Sequence, residues 1–136
     1  MRVYIASRYQ LPESVEIYEK LLEKKIDVFL PKTINLDAKT SEERKRVYDI
    51  CLKKIRVDCD VILFIYPFGF SVSSEFGMAA MLKALGYQKT IILLNLSDEE
   101  ISVPELEGMM EPAIDKVFTD IDILVKFLEK LATEAE

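Results

Sequence analysis

Asp60-Val61-Ile62-Leu63-Phe64-Ile65-Tyr66 is apolar without alternation, the pattern of a strand covered on both faces. Such a strand needs a layer of helices above and below it. Pro67-Phe68-Gly69 ends the run, and Lys89 to Leu96 repeats its character further on. Arg2–Ala6 and Ile26–Leu30 are shorter β-branched and aromatic strands, the second stopped by Pro31. Val117-Phe118 reads as a short fifth strand.

Helical segments alternate with these strands. Pro12 opens a helix whose apolar face is Leu11, Val15, Tyr18 and Leu22. Thr40 and Glu43 form a capping box for a helix over 41–57, with Val47, Ile50, Cys51 and Ile55 inward. Ser73 or Ser74 starts a third helix that runs to about Leu85 and is closed by Gly86. Thr119 caps a last one, with Ile121, Leu124, Leu128 and Leu131 inward. Residues 31–39 read as a polar loop, and 97–112 as an acidic loop with a helical turn.

This alternation predicts one α/β domain over 1–136 with a parallel sheet and right-handed crossovers. The simplest solution is a three-layer, flavodoxin-like or Rossmann-like domain of about five strands in the order 2-1-3-4-5. Ligands of such sheets lie beyond the C-terminal strand ends at the topological switch point. Here that crevice falls between Ser7-Arg8-Tyr9-Gln10 and the segment from Pro67 to Glu75.

Composition narrows the chemistry. The chain has 136 residues, a net charge of −6, two cysteines and no histidine. Catalysis by Ser-His-Asp or Cys-His is therefore excluded, as are imidazole-based zinc sites. Acid, base and nucleophile must come from carboxylates, thiols, amines, phenols or hydroxyls. No metal site and no cofactor is expected. An acidic chain argues against a nucleic-acid polymer as partner, but one arginine can still hold a small anion. Cys51 and Cys59 match no metal spacing and read as buried structural thiols. The start lacks a signal-peptide pattern, and Val61 to Phe70 is too short to span a membrane. A cytoplasmic location with no membrane partner is the expectation.

At the crevice, three serines and two glycines surround Glu75 where a helix begins. Hydroxyls and free amides at a helix N-terminus suit sugar hydroxyls or phosphate. A carboxylate in the first helical turn is favoured as the anion by the helix dipole, and beside a sugar it can act as nucleophile or stabilise an oxocarbenium-like centre. The same pattern also describes an ordinary capped helix start. Gly77 inside the helix points to a close approach there. Phe68 and Phe70 either plug the core or stack on a planar ligand. Arg8 can pair with a phosphate, and Tyr9 can stack, donate a hydroxyl or pack. With neither a GxGxxG nor a P-loop, dinucleotide binding and NTP hydrolysis lose support. The third helix carries only Glu75 and Lys83 as charges, so it should be covered on both sides, by the sheet and by a second subunit.

Val3-Tyr4-Ile5-Ala6-Ser7, Cys59-Asp60-Val61-Ile62-Leu63 and Ser74-Glu75-Phe76-Gly77-Met78-Ala79 together resemble the nucleoside 2-deoxyribosyltransferase superfamily over roughly residues 1–96. The last element is similar to the family's Glu-Leu-Gly-Tyr-Ala pattern, whose glutamate is the nucleophile. The resemblance implies cleavage of the base–sugar bond of a nucleoside or nucleoside 5′-monophosphate, with Glu75 attacking. It is nearest in flavour to the branch that hydrolyses deoxynucleoside monophosphates. It also implies substrate contacts from Ser7, Arg8, Tyr9, Phe68, Gly69, Ser71, Ser73 and Ser74, in a homo-oligomer, simplest as a dimer. Two family aspartates lack a clean match, one six residues before the glutamate and one in the helix before the third strand. Gly69 stands six residues before the glutamate, and Asp49 is one turn from the position that Leu52 takes by direct count. Asp49 is carried as a second catalytic candidate that needs a neighbouring subunit or a register change to reach the site. The alternative reading is a non-catalytic nucleotide-binding or sensing module on the same fold.

Overall fold

The computed structural model describes residues 1–34, 38–97 and 111–135. Among them, β1 (Arg2–Ala6), β2 (Asp27–Phe29), β3 (Val61–Tyr66), β4 (Thr90–Asn95) and β5 (Lys116–Phe118) form one parallel sheet in the order 2-1-3-4-5. The helices are α1 (Pro12–Glu23), α2 (Ser41–Lys53), α3 (Phe70–Ala84) and α4 (Ile121–Glu134). Most of the acidic 97–112 stretch lies outside the described residues.

The pleat sorts side chains between the two layers. Val3, Ile5, Leu63, Ile65, Ile92 and Leu94 face α1 and α4 and pack on Ile17, Leu21, Leu124 and Leu128. Tyr4, Ala6, Ile62, Phe64, Ile91 and Leu93 face the other way, onto Ile55, Val72, Phe76 and Ala79. The central strands are therefore buried on both faces, as their unbroken apolar runs require. Tyr4 is the polar exception on its face, with its ring 5.5 Å from that of Phe29.

Several local expectations are corrected. Helix α1 buries Ser14, Ile17 and Leu21 most deeply; of the expected stripe, Leu11, Val15 and Tyr18 pack at the margin of that core, and Leu22 is exposed. Ser14 goes inside because its Oγ donates to the Leu11 carbonyl at 2.7 Å, so no orphaned hydroxyl is buried. The Thr40 cap forms as expected, accepting from the Glu43 amide at 3.1 Å. Helix α2 then ends at Lys53 and continues as a π-helical turn over Lys54–Asp58. Helix α4 is capped by Asp120, which accepts from Ile123 N at 2.9 Å, not by Thr119. The largest shift is at α3. It begins at Phe70 with Gly69 as its cap residue and no side-chain cap, three residues before the first of the expected serines.

Candidate active site at the sheet switch point

A cleft of about 990 Å³ opens beyond the C-terminal ends of β1, β2 and β3, at the predicted switch point. The segment after β1 contributes Ser7, Arg8, Tyr9, Gln10 and Leu11, and the turn after β2 contributes Leu30, Pro31 and Lys32. Helix α2 supplies Val47, Tyr48, Cys51 and Leu52, and α3 supplies Phe70, Ser71, Val72, Ser74, Glu75 and Met78, with Gly69 before it. The volume lies at the upper end of the range for small-molecule sites, and the wall is mostly apolar with a few convergent polar groups.

Glu75 is the carboxyl group of this cleft among the described residues. Helix α3 buries Val72, Phe76 and Ala79 against the sheet, and Phe76 holds the register with its ring 4.9 Å from that of Phe64. Glu75 stands at the edge of this buried face, between sheet and cleft. From the floor, the fully buried Tyr4 donates its phenolic hydrogen bond to Glu75 Oε2. Oε1 accepts no hydrogen bond from the described residues. One oxygen is thus anchored and the other is left for the cleft.

The electrostatics differ from the expectation. With α3 starting at Phe70, Glu75 is its sixth residue, past the first turn where the helix dipole acts. Burial dominates instead and pushes the Glu75 carboxyl above its ordinary range, while the Tyr4 bond pulls it back toward ionisation. The Tyr4 hydroxyl is itself driven far up by burial and by the Glu75 charge, so it stays a proton-bearing donor. Cys51 joins this cluster. Its thiol is raised by burial and by the Glu75 charge, and a hydrogen bond with Tyr4 opposes that shift. Cys51 is half-buried at the cleft rather than a core thiol, whereas Cys59 is buried and pushed up to about 11 by desolvation.

Of the expected contact residues, Ser7, Arg8, Tyr9, Gly69, Ser71 and Ser74 line the cleft beside Glu75. Phe68, Ser73 and Asp49 do not. Phe68 turns inward and packs edge-on against Tyr66 and Phe64, at 5.5 and 6.3 Å between ring centroids, so the core claims it. Phe70 takes the opposite course, 97% exposed at the cleft rim. Asp49 sits on the outer side of α2, paired with Lys45 at 3.2 Å. Gly77 has nothing within 4 Å of where a Cβ would be, so no close approach among the described residues accounts for it. Tyr4, Tyr48 and Lys32 are among the cleft residues that the sequence did not single out for the site, and Cys51 was read there only as a structural thiol. The available signal was Tyr4, whose phenol needs a partner inside an otherwise apolar strand.

At the other end of the cleft, the amides of Phe70, Ser71 and Val72 are the free first N–H groups of α3, since the first backbone bond of the helix runs from Ser73 N to Gly69 O. Arg8 lies alongside, its Cγ and Nε within 3.8 Å of a Cβ placed on Gly69. A guanidinium beside free helix amides suits a phosphate.

No family model and no curated protein matches the chain. Among solved structures it is similar to the 2-deoxyribosyltransferase of the psychrotolerant bacterium Bacillus psychrosaccharolyticus. That match has 18% identity and a TM-score of 0.72, over 92% of this chain and 90% of that one. The likeness is one of fold. The same sheet also matches the BeF3-activated receiver domain of DrrB (13% identity, 97% of each chain, TM-score 0.53). It further matches DrrB from Thermotoga maritima, an OmpR/PhoB homologue (14% identity, TM-score 0.55), covering 99% of this chain and 54% of that one. A deoxyribosyltransferase-like fold is shared with a signalling receiver, so function has to be argued from the cleft. No helix among the described residues is long and apolar enough to cross a membrane.

Proposed function

We propose that the chain cleaves the base–sugar bond of a nucleoside or nucleoside 5′-monophosphate, with Glu75 as nucleophile and water as the simplest acceptor. The observation that carries this is the Tyr4–Glu75 pair. A carboxylate with one oxygen anchored by a buried phenol presents the other at fixed geometry to an incoming C1′. Arg8, Ser7, Ser71 and the free amides of α3 take the 5′-phosphate, and the α2 wall takes the base. The Glu75 carboxylate displaces the base at C1′, and water then hydrolyses the glycosyl ester. Transfer of the sugar to a second base follows the same first step.

The test is base release from a panel of nucleosides and nucleoside monophosphates. Glu75→Ala should abolish it, and release unchanged in that variant removes Glu75 from the mechanism. A nucleotide-binding or sensing module is the second reading, favoured by the absence of a second carboxyl group from the described cleft. It predicts thermal stabilisation by nucleotides without turnover.

The reading includes a second copy of the chain. The outer face of α3 presents Phe70, Ser73, Ser74, Gly77, Met81 and Ala84 without a charge. A chain of net charge −6 meets its copy with least repulsion through such a face. In an antiparallel crossing centred on Gly77, Phe70 falls opposite Ala84 and Met81 opposite Ser73, large against small.

A further inference from the structure

A nucleobase leaves slowly unless a proton reaches it as the C1′–N bond breaks, and a placed general acid contributes about 10²–10⁴-fold to such a step. The cleft carries a thiol on the wall that takes the base. Val47, Tyr48, Cys51 and Leu52 share one face of α2 by helical spacing and line the cleft together with Glu75. Cys51 packs half-buried against the apolar cluster that holds the Tyr4 ring. Its thiol meets the Tyr4 hydroxyl in a hydrogen bond and lies in the field of the Glu75 charge. Tyr4 has one phenolic hydrogen and gives it to Glu75 Oε2, so in the resting site the thiol donates to the phenol oxygen. Tyr9, Tyr48 and Gln10 also line the cleft. Both tyrosines are more than half exposed, Tyr9 lies under Lys32 at 5.5 Å, and a carboxamide is no acid at neutral pH.

We propose that Cys51 is the general acid of base release, an inference that rests on Glu75 as nucleophile. Glu75 Oε1 forms the bond to C1′ as the C1′–N bond breaks, the bonding pair returns to the base nitrogen, and the thiol proton moves to the base. This step yields the neutral base, a glycosyl ester and the Cys51 thiolate. Water then attacks C1′ and passes one proton to the thiolate. The C1′–O pair returns to Glu75, and the free sugar, the thiol and the carboxylate result. The cluster times the transfer. Burial and the Glu75 charge hold the resting thiol protonated, against the Tyr4 bond. Esterification removes that charge, so the thiol becomes easier to ionise as the base departs. An ester oxygen is also a weaker acceptor than a carboxylate, so the phenolic hydrogen can turn from Glu75 to the new thiolate. Arg8 after β1 and Lys32 after β2 are the other charges of the described lining, and the step leaves both unchanged.

The experiment measures base release from adenosine, guanosine, cytidine and uridine 5′-monophosphates and their 2′-deoxy forms, beside the N7-methylated guanosine and deoxyguanosine 5′-monophosphates. An N7-methylated guanine already carries its positive charge and leaves without a proton. Each rate is corrected for cleavage in buffer. Cys51→Ala, and Cys51→Ser with its similar shape and far less acidic hydroxyl, should lower kcat/KM for the unmethylated nucleotides at least about 100-fold. The N7-methylated ones should lose less than about tenfold. That split shows a folded cleft and is not what a merely structural role for Cys51 would give. Both classes falling together in both variants, or neither falling, overturns Cys51 as the acid and leaves the glycosidase reading standing. Release by the unaltered protein from the methylated nucleotides alone does the same. Release from no compound overturns both.

Discussion

Tyr4→Phe tests the site at its anchor. The substitution keeps the ring in its packing beside Phe29 and removes only the hydroxyl that donates to Glu75 Oε2. A hydrogen bond to a charged group is worth about 1.5–3 kcal/mol. At 1.36 kcal/mol per decade, its loss makes the Glu75 carboxyl roughly 10- to 100-fold harder to deprotonate. The sign follows from the causes: burial raises the proton affinity of Glu75 and the Tyr4 bond lowers it, so without the bond burial acts unopposed. The direct measurement is a ¹³C NMR titration of the glutamate side-chain carboxyls, with Glu75 assigned through Glu75→Gln. Its midpoint should move to higher pH in Tyr4→Phe. In the proposed base-release reaction, the acidic limb of kcat/KM should move the same way, with activity recovered at alkaline pH. A midpoint that stays put or falls would refute the claim that the phenol holds Glu75 ionised.

Glu75→Gln should stabilise the protein, because the folded state raises the carboxyl's pKa. The stability that protonation contributes is present at low pH and lost as pH rises through the folded value. The variant's advantage in urea denaturation should therefore be near zero at acid pH and grow to the order of 1 kcal/mol at pH 8. Lys89→Met should destabilise by about 2–3 kcal/mol in the same assay. Lys89 is 8% exposed and donates to the Arg56 and Cys59 carbonyls at 3.0 and 2.6 Å, and methionine leaves both without that donor. Gly77→Ala should raise monomer stability by about 0.5–1 kcal/mol and weaken self-association in sedimentation velocity. Association that is unchanged would remove α3 as the shared face.

The architecture was legible because it depends on coarse patterns. Unbroken apolar runs at 61–66 and 90–95 announce doubly covered strands, and strand–helix alternation leaves few topologies. Helix faces and starts were less legible where two patterns compete locally. In α1, the sets 11/15/18/22 and 14/17/21 both have helical spacing. The buried one contains a serine, which becomes inconspicuous only once its hydroxyl bonds to the Leu11 carbonyl. At α3, serine is the usual cap residue, whereas the chain uses Gly69, with no side-chain bond to mark it. That shift moved Glu75 out of the first turn and changed its electrostatics from dipole-favoured to burial-opposed. Cleft membership at 7–9 and over 69–75, Ser73 excepted, followed from topology alone. The Tyr4 contact did not, because it joins residues 71 positions apart and depends on the parity of β1 and the rotation of α3 together.

The fold hosts a transferase and a receiver alike, so the weight rests on whether Glu75 is more than a helix-start residue. A capping glutamate sits in the first turn and bonds amides of its own helix. Glu75 does neither: it is a turn further in, and its recorded bond crosses to a phenol on the sheet. A solvated surface glutamate is equally excluded, since burial already raises its pKa. A buried carboxyl that is costly to ionise, held by a phenol that burial also keeps protonated, is a poor device for stability, and two apolar side chains of the same shape would pack there at less cost. Unfavourable electrostatics of this kind gathers at sites built for chemistry. The pair lines a cleft at the one place where a sheet of this order leaves room for a ligand. Those two facts come from independent sources, local electrostatics and global topology, and they meet at the same residue.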